Sequence, residues 1–156
     1  MMKDFIKPVT KTESKLFASI KNILNREGLL MRLENMIMPG LPDMIFVYRG
    51  IVAFVENKVA HSGKITMPLF QYTTATLLYQ DMNKEHHWYF VYEDNGMGED
   101  IIVAYRWYDI RHCEVTANAK NKTITMDIRK GKPRLTFAKP SDIEDWLVYL
   151  KGNLSP

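Results

Sequence analysis

The chain has 156 residues, 46% of them hydrophobic and 25% charged, with a net charge of +3. That is the profile of one globular domain with a sizeable core. It excludes a membrane span, since no apolar run approaches the roughly 20 residues one needs, and the N-terminus lacks a signal-peptide core. The single cysteine, Cys113, cannot form an internal disulfide, and no Cys/His cluster is spaced for zinc. The default expectation is a cytoplasmic protein in a reducing compartment. Charge is unevenly spread. Residues 1–40 carry seven basic against four acidic side chains, 113–156 eight against five, and 81–112 three against seven. Basic ends around an acidic middle can offer one face to a polyanion.

In chain order, a lead-in over 1–9 precedes a helix from Thr10, in which Leu16, Phe17, Ile20, Ile23 and Leu24 form one apolar face ended by Gly28. Glu13 extends that stripe, and Thr10-x-x-Glu13 reads as a capping box. Leu29–Asn35 predicts a first strand, followed by the loop Met38-Pro39-Gly40-Leu41-Pro42. Met44–Tyr48 and Ile51–Val55 predict a β-hairpin around Arg49-Gly50, and His61–Lys64 a polar loop. Pro68 suits the first turn of a helix running to about Asn83, with Phe70, Thr74, Leu77 and Leu78 on its apolar face and Gln71 at that face's edge. His86–Tyr92 and Ile101–Trp107 are β-prone, joined by the acidic loop Glu93–Asp100. The order α-β-β-β-α-β-β predicts an α/β fold with a central mixed sheet flanked by helices.

Beyond it, a helical turn starts near Asp109. Val115–Thr116, Thr123–Ile128 and Arg134–Phe137 predict short strands of a basic β-meander, and a closing helix runs from an N-cap at Ser141, with Glu144 completing a capping box, to about Leu150. One domain over 1–156 is expected, with a core over about 10–107 and a C-terminal extension over about 108–156.

The chemistry concentrates on the hairpin. A two-residue loop at Arg49-Gly50 pairs Tyr48 with Ile51 and, continuing outward, sets Asp43 opposite Glu56. Opposed side chains share a face, with Cβ atoms roughly 5 Å apart. Lys58, two residues on, points to the same face. Two opposed carboxylates repel unless a cation lies between them, and a hard divalent ion beside an amine answers that need. A three-residue loop would slip the register by one and break the opposition; a four-residue loop would keep it. Taken singly, Asp43 reads as a turn residue after Pro42, and Glu56 and Lys58 as an exposed strand edge.

With Glu13, Gly40-Leu41-Pro42-Asp43, Glu56-Asn57-Lys58 and Pro68…Gln71 in that order, the chain resembles the PD-(D/E)xK nucleases. Within them it is similar to archaeal-type Holliday-junction resolvases and virus-type replication-repair nuclease domains, over roughly residues 11–92. The resemblance implies a restriction-endonuclease-like core and a Mg²⁺- or Mn²⁺-dependent endonuclease acting on branched or duplex DNA as a homodimer. Asp43, Glu56 and Glu13 would be its metal ligands, Lys58 would orient water or steady phosphate charge, and Gln71 would position Lys58 or the water. Asn57 departs from the small or apolar residue common there, at a position facing away from the site. A phage-encoded resolvase acting in a host cytoplasm is the expectation. The alternatives are a restriction- or repair-type duplex nuclease and a catalytically silent nucleic-acid-binding module.

Phosphate contacts are expected from Arg49, His61 and Lys64 around the hairpin and from Lys120, Lys122, Arg129, Lys130, Lys132 and Arg134. The second group reads equally as a solvated edge hairpin whose lysines block aggregation. Of His86 and His87, alternation turns one inward as a satisfied structural histidine. Trp88, Tyr89, Phe90, Tyr105, Trp107 and Tyr108 are expected in the core.

Overall fold

Alternation sorts the hairpin side chains onto two faces. Met44, Phe46, Tyr48, Ile51, Ala53 and Val55 enter one core, while Ile45, Val47, Val52 and Phe54 sit half-buried on the other side. The structure is a computed structural model that describes residues 13–33, 42–94, 100–137 and 140–154. In it β2 (Met44–Tyr48) pairs antiparallel with β3 (Ile51–Val59), Tyr48 opposite Ile51 and Met44 opposite Val55, the register of a two-residue loop. Arg49 and Gly50 turn with φ of 48° and 80°, the two positive values a type I′ turn requires. Gly50 adopts its angle freely. Arg49 does so against the preference of an L-residue, and its guanidinium 5.4 Å from the Tyr48 ring offsets part of that cost.

Around the hairpin runs a six-stranded sheet in the order β1-β2-β3-β5-β6-β9, where β1 is Leu29–Arg32, β5 His87–Asp94, β6 Asp100–Arg106 and β9 Leu135–Phe137. Every pair is antiparallel except β3 with β5, so the sheet is mixed. A parallel neighbour needs a crossover, which here consists of β4 (Lys64–Pro68) and α2 (Leu69–Asp81). The residues expected to run from a polar loop straight into a helix thus include a strand. Its alternation is visible only in Ile65 and Met67, buried between exposed Lys64 and Thr66. β4 pairs with β8 (Thr123–Asp127), which pairs with β7 (Val115–Asn118), making a second, three-stranded sheet. The three C-terminal strands therefore divide between two sheets rather than running as one meander. β7 and β8 join β4, while β9 pairs with β6 on the central sheet, where Phe137 packs against Phe90 with ring centroids 6.5 Å apart.

Helices lie against both faces of the central sheet. One core, with Ile20, Leu24, Phe46, Trp88, Phe90 and Trp146, lies under α1 (Glu13–Glu27) and α4 (Glu144–Leu154). The other, with Ile65, Met67, Tyr89, Val91, Trp107 and Met126, lies under α2, α3 (Trp107–Ile110) and the small sheet. This is an α/β architecture. Among the described residues no helix is long and apolar enough to cross a membrane.

Three local expectations change. α2 buries Gln71 and Ala75 and leaves Phe70 and Leu77 about half exposed; apolar residues surround this helix, so their spacing does not choose its inner face. The closing helix starts at Glu144 after a 3₁₀ turn, Pro140–Ile143, rather than from an N-cap at Ser141. The first helix is described from Glu13, so the cap expected at Thr10 lies outside the described residues, as do Gly40 and Leu41.

Gly28 follows α1 as expected, but for a packing reason. Its N–H continues the helix by donating to the Leu24 carbonyl at 2.9 Å, and a Cβ there would overlap the Val47 carbonyl oxygen and crowd the Phe46 ring. Gly28→Ala is expected to cost about 1–3 kcal/mol in urea denaturation, since backbone on the far side cannot yield. Unchanged stability would show that the junction of α1 and β1 is loose.

Candidate active site

The open end of the hairpin brings Asp43 and Glu56 together. The register that pairs Met44 with Val55 continues one step outward to set Asp43 against Glu56. Asp43 is held by the strand opposite, because its carboxylate Oδ2 accepts the backbone N–H of Asn57 at 3.0 Å. Its own carbonyl oxygen accepts the Leu33 N–H at 2.7 Å. Asn57 thus contributes its backbone to the acid while its side chain, by alternation, faces the other side of the sheet.

Glu56 and Lys58 are 1% and 4% exposed, too deep for the solvated strand edge that either suggests alone. The parallel partner β5 sets Tyr89 beside Glu56 and Val91 beside Lys58. Burial, and after it the charges of Glu56 and Asp43, push the Tyr89 phenol well above its usual value. The phenol therefore lies in the field of both carboxylates. α2 contributes Gln71 from above the same face, buried, with its side-chain carbonyl unpartnered among the described residues. The Tyr89 hydroxyl and both ring nitrogens of His87 are also buried without partners among the described residues. Unpaired buried polar atoms are costly. Those of His87 and Tyr89 lie on the sheet face that also carries Glu56 and Lys58.

His87 and Tyr89 are the residues that sequence reasoning placed in the structural background. His86 is the satisfied histidine, its Nδ1 2.6 Å from the Val52 carbonyl. His87 is not: it stacks with Trp107 at 6.3 Å and tilts against Tyr89 at 5.4 Å, with no hydrogen bond at either nitrogen among the described residues. The available signal was the adjacency of the two histidines at a strand start, which turns them to opposite faces. Trp88, Phe90, Tyr105 and Trp107 are buried as expected, and Tyr108 is half-buried.

Burial pushes His87 down from 6.5 to about 4. Its folded value lies below its unfolded one, so between them the unfolded chain binds a proton that the folded chain refuses, and stability falls as pH drops through that window. The loss amounts to roughly 3 kcal/mol. His87→Phe should flatten urea-midpoint curves between pH 7 and pH 4.5 relative to wild type; an unchanged slope would mean His87 is protonated in place.

Other predicted residues are not brought here. Arg49 sits at the closed end of the hairpin, roughly 20 Å of strand from Asp43. His61 and Lys64 flank the tight turn just beyond β3. Lys120 and Lys122 lie exposed at the β7–β8 turn, where Lys122 edges a cavity of about 720 Å³ at the start of α2 that includes neither carboxylate. Arg129 is held by both oxygens of Asp127 at 2.6 and 2.9 Å, and Arg134 by Asp109 at 3.0 Å. α1 starts at Glu13, whose side chain lies outside the described residues. Among the described residues no three His, Cys, Asp or Glu side chains gather as a metal-binding group; a Mg²⁺ site that keeps several waters needs only one or two carboxylates. No protein-family model matches the chain, and no curated protein matches it.

Proposed function

We propose that the protein is a metal-dependent endonuclease of the PD-(D/E)xK kind, with a restriction-endonuclease-like core, acting on DNA with a preference for branched or junction forms. The observation that carries this reading is the hairpin register, which ends at Met44 opposite Val55 and, carried one step outward, sets Asp43 against Glu56, with buried Lys58 on the same face as Glu56. Opposed carboxylates held in place by backbone, as Asn57 holds Asp43, fit a hard cation, and unpartnered Gln71 and Tyr89 groups fit the waters such an ion retains. A bound Mg²⁺ or Mn²⁺ supplies an activated water and charge neutralisation on phosphate.

The chain's own groups do the rest. Asp43 and Glu56 would hold the ion, with Glu13 as a further ligand carried on α1. Lys58 would place its ammonium against the negative charge that builds on phosphate. Gln71, through its side-chain carbonyl, would orient Lys58 or the attacking water, and the Tyr89 hydroxyl would donate to a carboxylate or to the same water. A homodimer would present two such sites to the two strands of a junction.

The test is cleavage of a four-way junction beside matched duplex and single strand, with Mg²⁺ or Mn²⁺. Junction cutting supports the full reading, and duplex cutting keeps the chemistry while replacing the preferred substrate. DNA binding without cutting favours a binding module, and no interaction with DNA or divalent metal overturns it.

A further inference from the structure

The basic C-terminal segment is not a uniform charged edge, because its cations differ in what they face. Arg129 and Arg134 are matched to Asp127 and Asp109. Lys130 and Lys132 line a cavity of about 280 Å³ with Tyr108, Asp109, Arg111, His112 and Arg134. Four permanent cations thus share this small space with one carboxylate. That carboxylate is already saturated: Asp109 accepts the Arg106 backbone N–H at 3.1 Å, the Arg106 guanidinium at 2.9 Å from both Nε and Nη2, and Arg134 at 3.0 and 3.2 Å.

Of the other carboxylates nearby, Glu85 and Asp127 are engaged as well, while Glu114 is exposed. Glu85 is bound by Arg106 and accepts the Tyr149 hydroxyl at 2.9 Å. Asp127 and Glu114 line an adjoining cleft behind Lys130 and His112, where Asp127 is taken by Arg129. Among the described residues no carboxylate pairs with Arg111, Lys130 or Lys132. Like charges gathered around one space without a free counter-charge repel one another.

Arg111 is also held in a defined pose. Its guanidinium carbon lies 4.6 Å from the Tyr79 ring centroid and 5.0 Å from that of Tyr108. Stacking of this kind fixes the guanidinium plane and leaves its N–H edge for a ligand, the geometry suited to an oxyanion with several acceptor oxygens. The lysines add mobile point charges opposite.

We propose that the cavity bounded by Tyr108, Arg111, His112, Lys130 and Lys132 is a binding site for a phosphate group, separate from the carboxylate site at the hairpin. It deepens the nuclease reading by giving the DNA backbone a defined anchor and, unlike Asp43 and Glu56, needs no metal. The cavity includes neither Asp43 nor Glu56: on α3, Trp107 packs against Tyr89 at 5.5 Å, while the next residue, Tyr108, lines the cavity.

The experiment is an amide NMR titration of the full chain with inorganic phosphate and, separately, with a labelled single-stranded 12-mer followed by anisotropy. Wild type, Lys130→Ala/Lys132→Ala and Arg111→Ala are compared without divalent metal. Phosphate should shift the amides of residues 111–112 and 130–132. The double lysine variant, altered only at exposed positions, should lose at least about tenfold in oligonucleotide affinity and lower the salt slope by about 1.4. Arg111→Ala should weaken binding of both ligands.

Phosphate binding without oligonucleotide binding would still support the site and assign it to free phosphate compounds. Binding that persists in a protein showing no metal-dependent cleavage would support the site while the nuclease reading fails. Phosphate shifts confined to other residues, or a double variant that binds like wild type, would overturn it.

Discussion

Glu56→Gln is expected to lower metal-dependent strand cleavage by at least about 10²-fold, the scale of losing a preorganised electrostatic group in a site closed to water. The substitution keeps the shape of a side chain that is 1% exposed, so the variant should fold, and near-UV circular dichroism should match wild type. What it removes is half of the charge that a cation meets at the mouth of the hairpin. A second readout is independent of turnover. An ion present at 100 times its Kd stabilises wild type by about 2.7 kcal/mol; with one carboxylate gone, Mg²⁺ or Mn²⁺ should no longer raise the melting temperature. Asp43→Asn should behave alike, because the Asn57 N–H can still bond to its side-chain oxygen. A Glu56→Gln protein that cuts DNA normally would place hydrolysis elsewhere. A wild type that neither cuts nor gains stability from metal would leave the two acids as a costly pair with no chemical role.

That pair was readable before any coordinates because the hairpin carries its own register. Two apolar runs separated by Arg49-Gly50 admit few pairings, and the type I′ turn selects the one that opposes Asp43 to Glu56. What the spacing could not reveal is depth. Lys58 looks like an exposed strand end until β5 is laid parallel beside β3, and that pairing depends on a crossover whose strand, β4, has only two buried side chains to announce it. The unpartnered polar atoms of Tyr89 and His87 among the described residues are hidden for the same reason. An aromatic-rich run such as His87–Asp94 predicts a buried strand, but which of its polar atoms lack partners depends on what covers each face. α2 was misjudged in facing because apolar side chains encircle it, so the burial of Gln71 in preference to Phe70 is decided by the sheet beneath. The basic C-terminal stretch was legible as charge and illegible as a site. Its meaning depends on Asp109 and Asp127, which neutralise two of its members and leave others facing a cavity.

Asp109→Ala should be the most destabilising single change on the surface of the other core, at about 3–5 kcal/mol, because it strands a buried cation. Arg106 is 2% exposed and reaches Glu85 with one nitrogen and Asp109 with two others. Removing Asp109 leaves that guanidinium with one of these three hydrogen bonds and frees Arg134, which tethers the segment entering β9. Set against a typical total of about 5–15 kcal/mol, the loss is large enough to read directly from a urea midpoint at pH 7. The pH dependence then identifies the cause. Burial alone would raise the Asp109 carboxyl, but hydrogen bonds from Arg106 and Arg134 outweigh it and hold the group below its usual value. Its folded value lies below the unfolded one near about 3.9. Its contribution is therefore complete above that unfolded value and is lost as pH falls through the folded one. Wild type and Asp109→Ala should differ most at neutral pH and converge as the solution is acidified below pH ~4. A gap that stays constant down to pH 3 would assign the loss to packing around Trp107 and Ile110 instead of to the ion pairs.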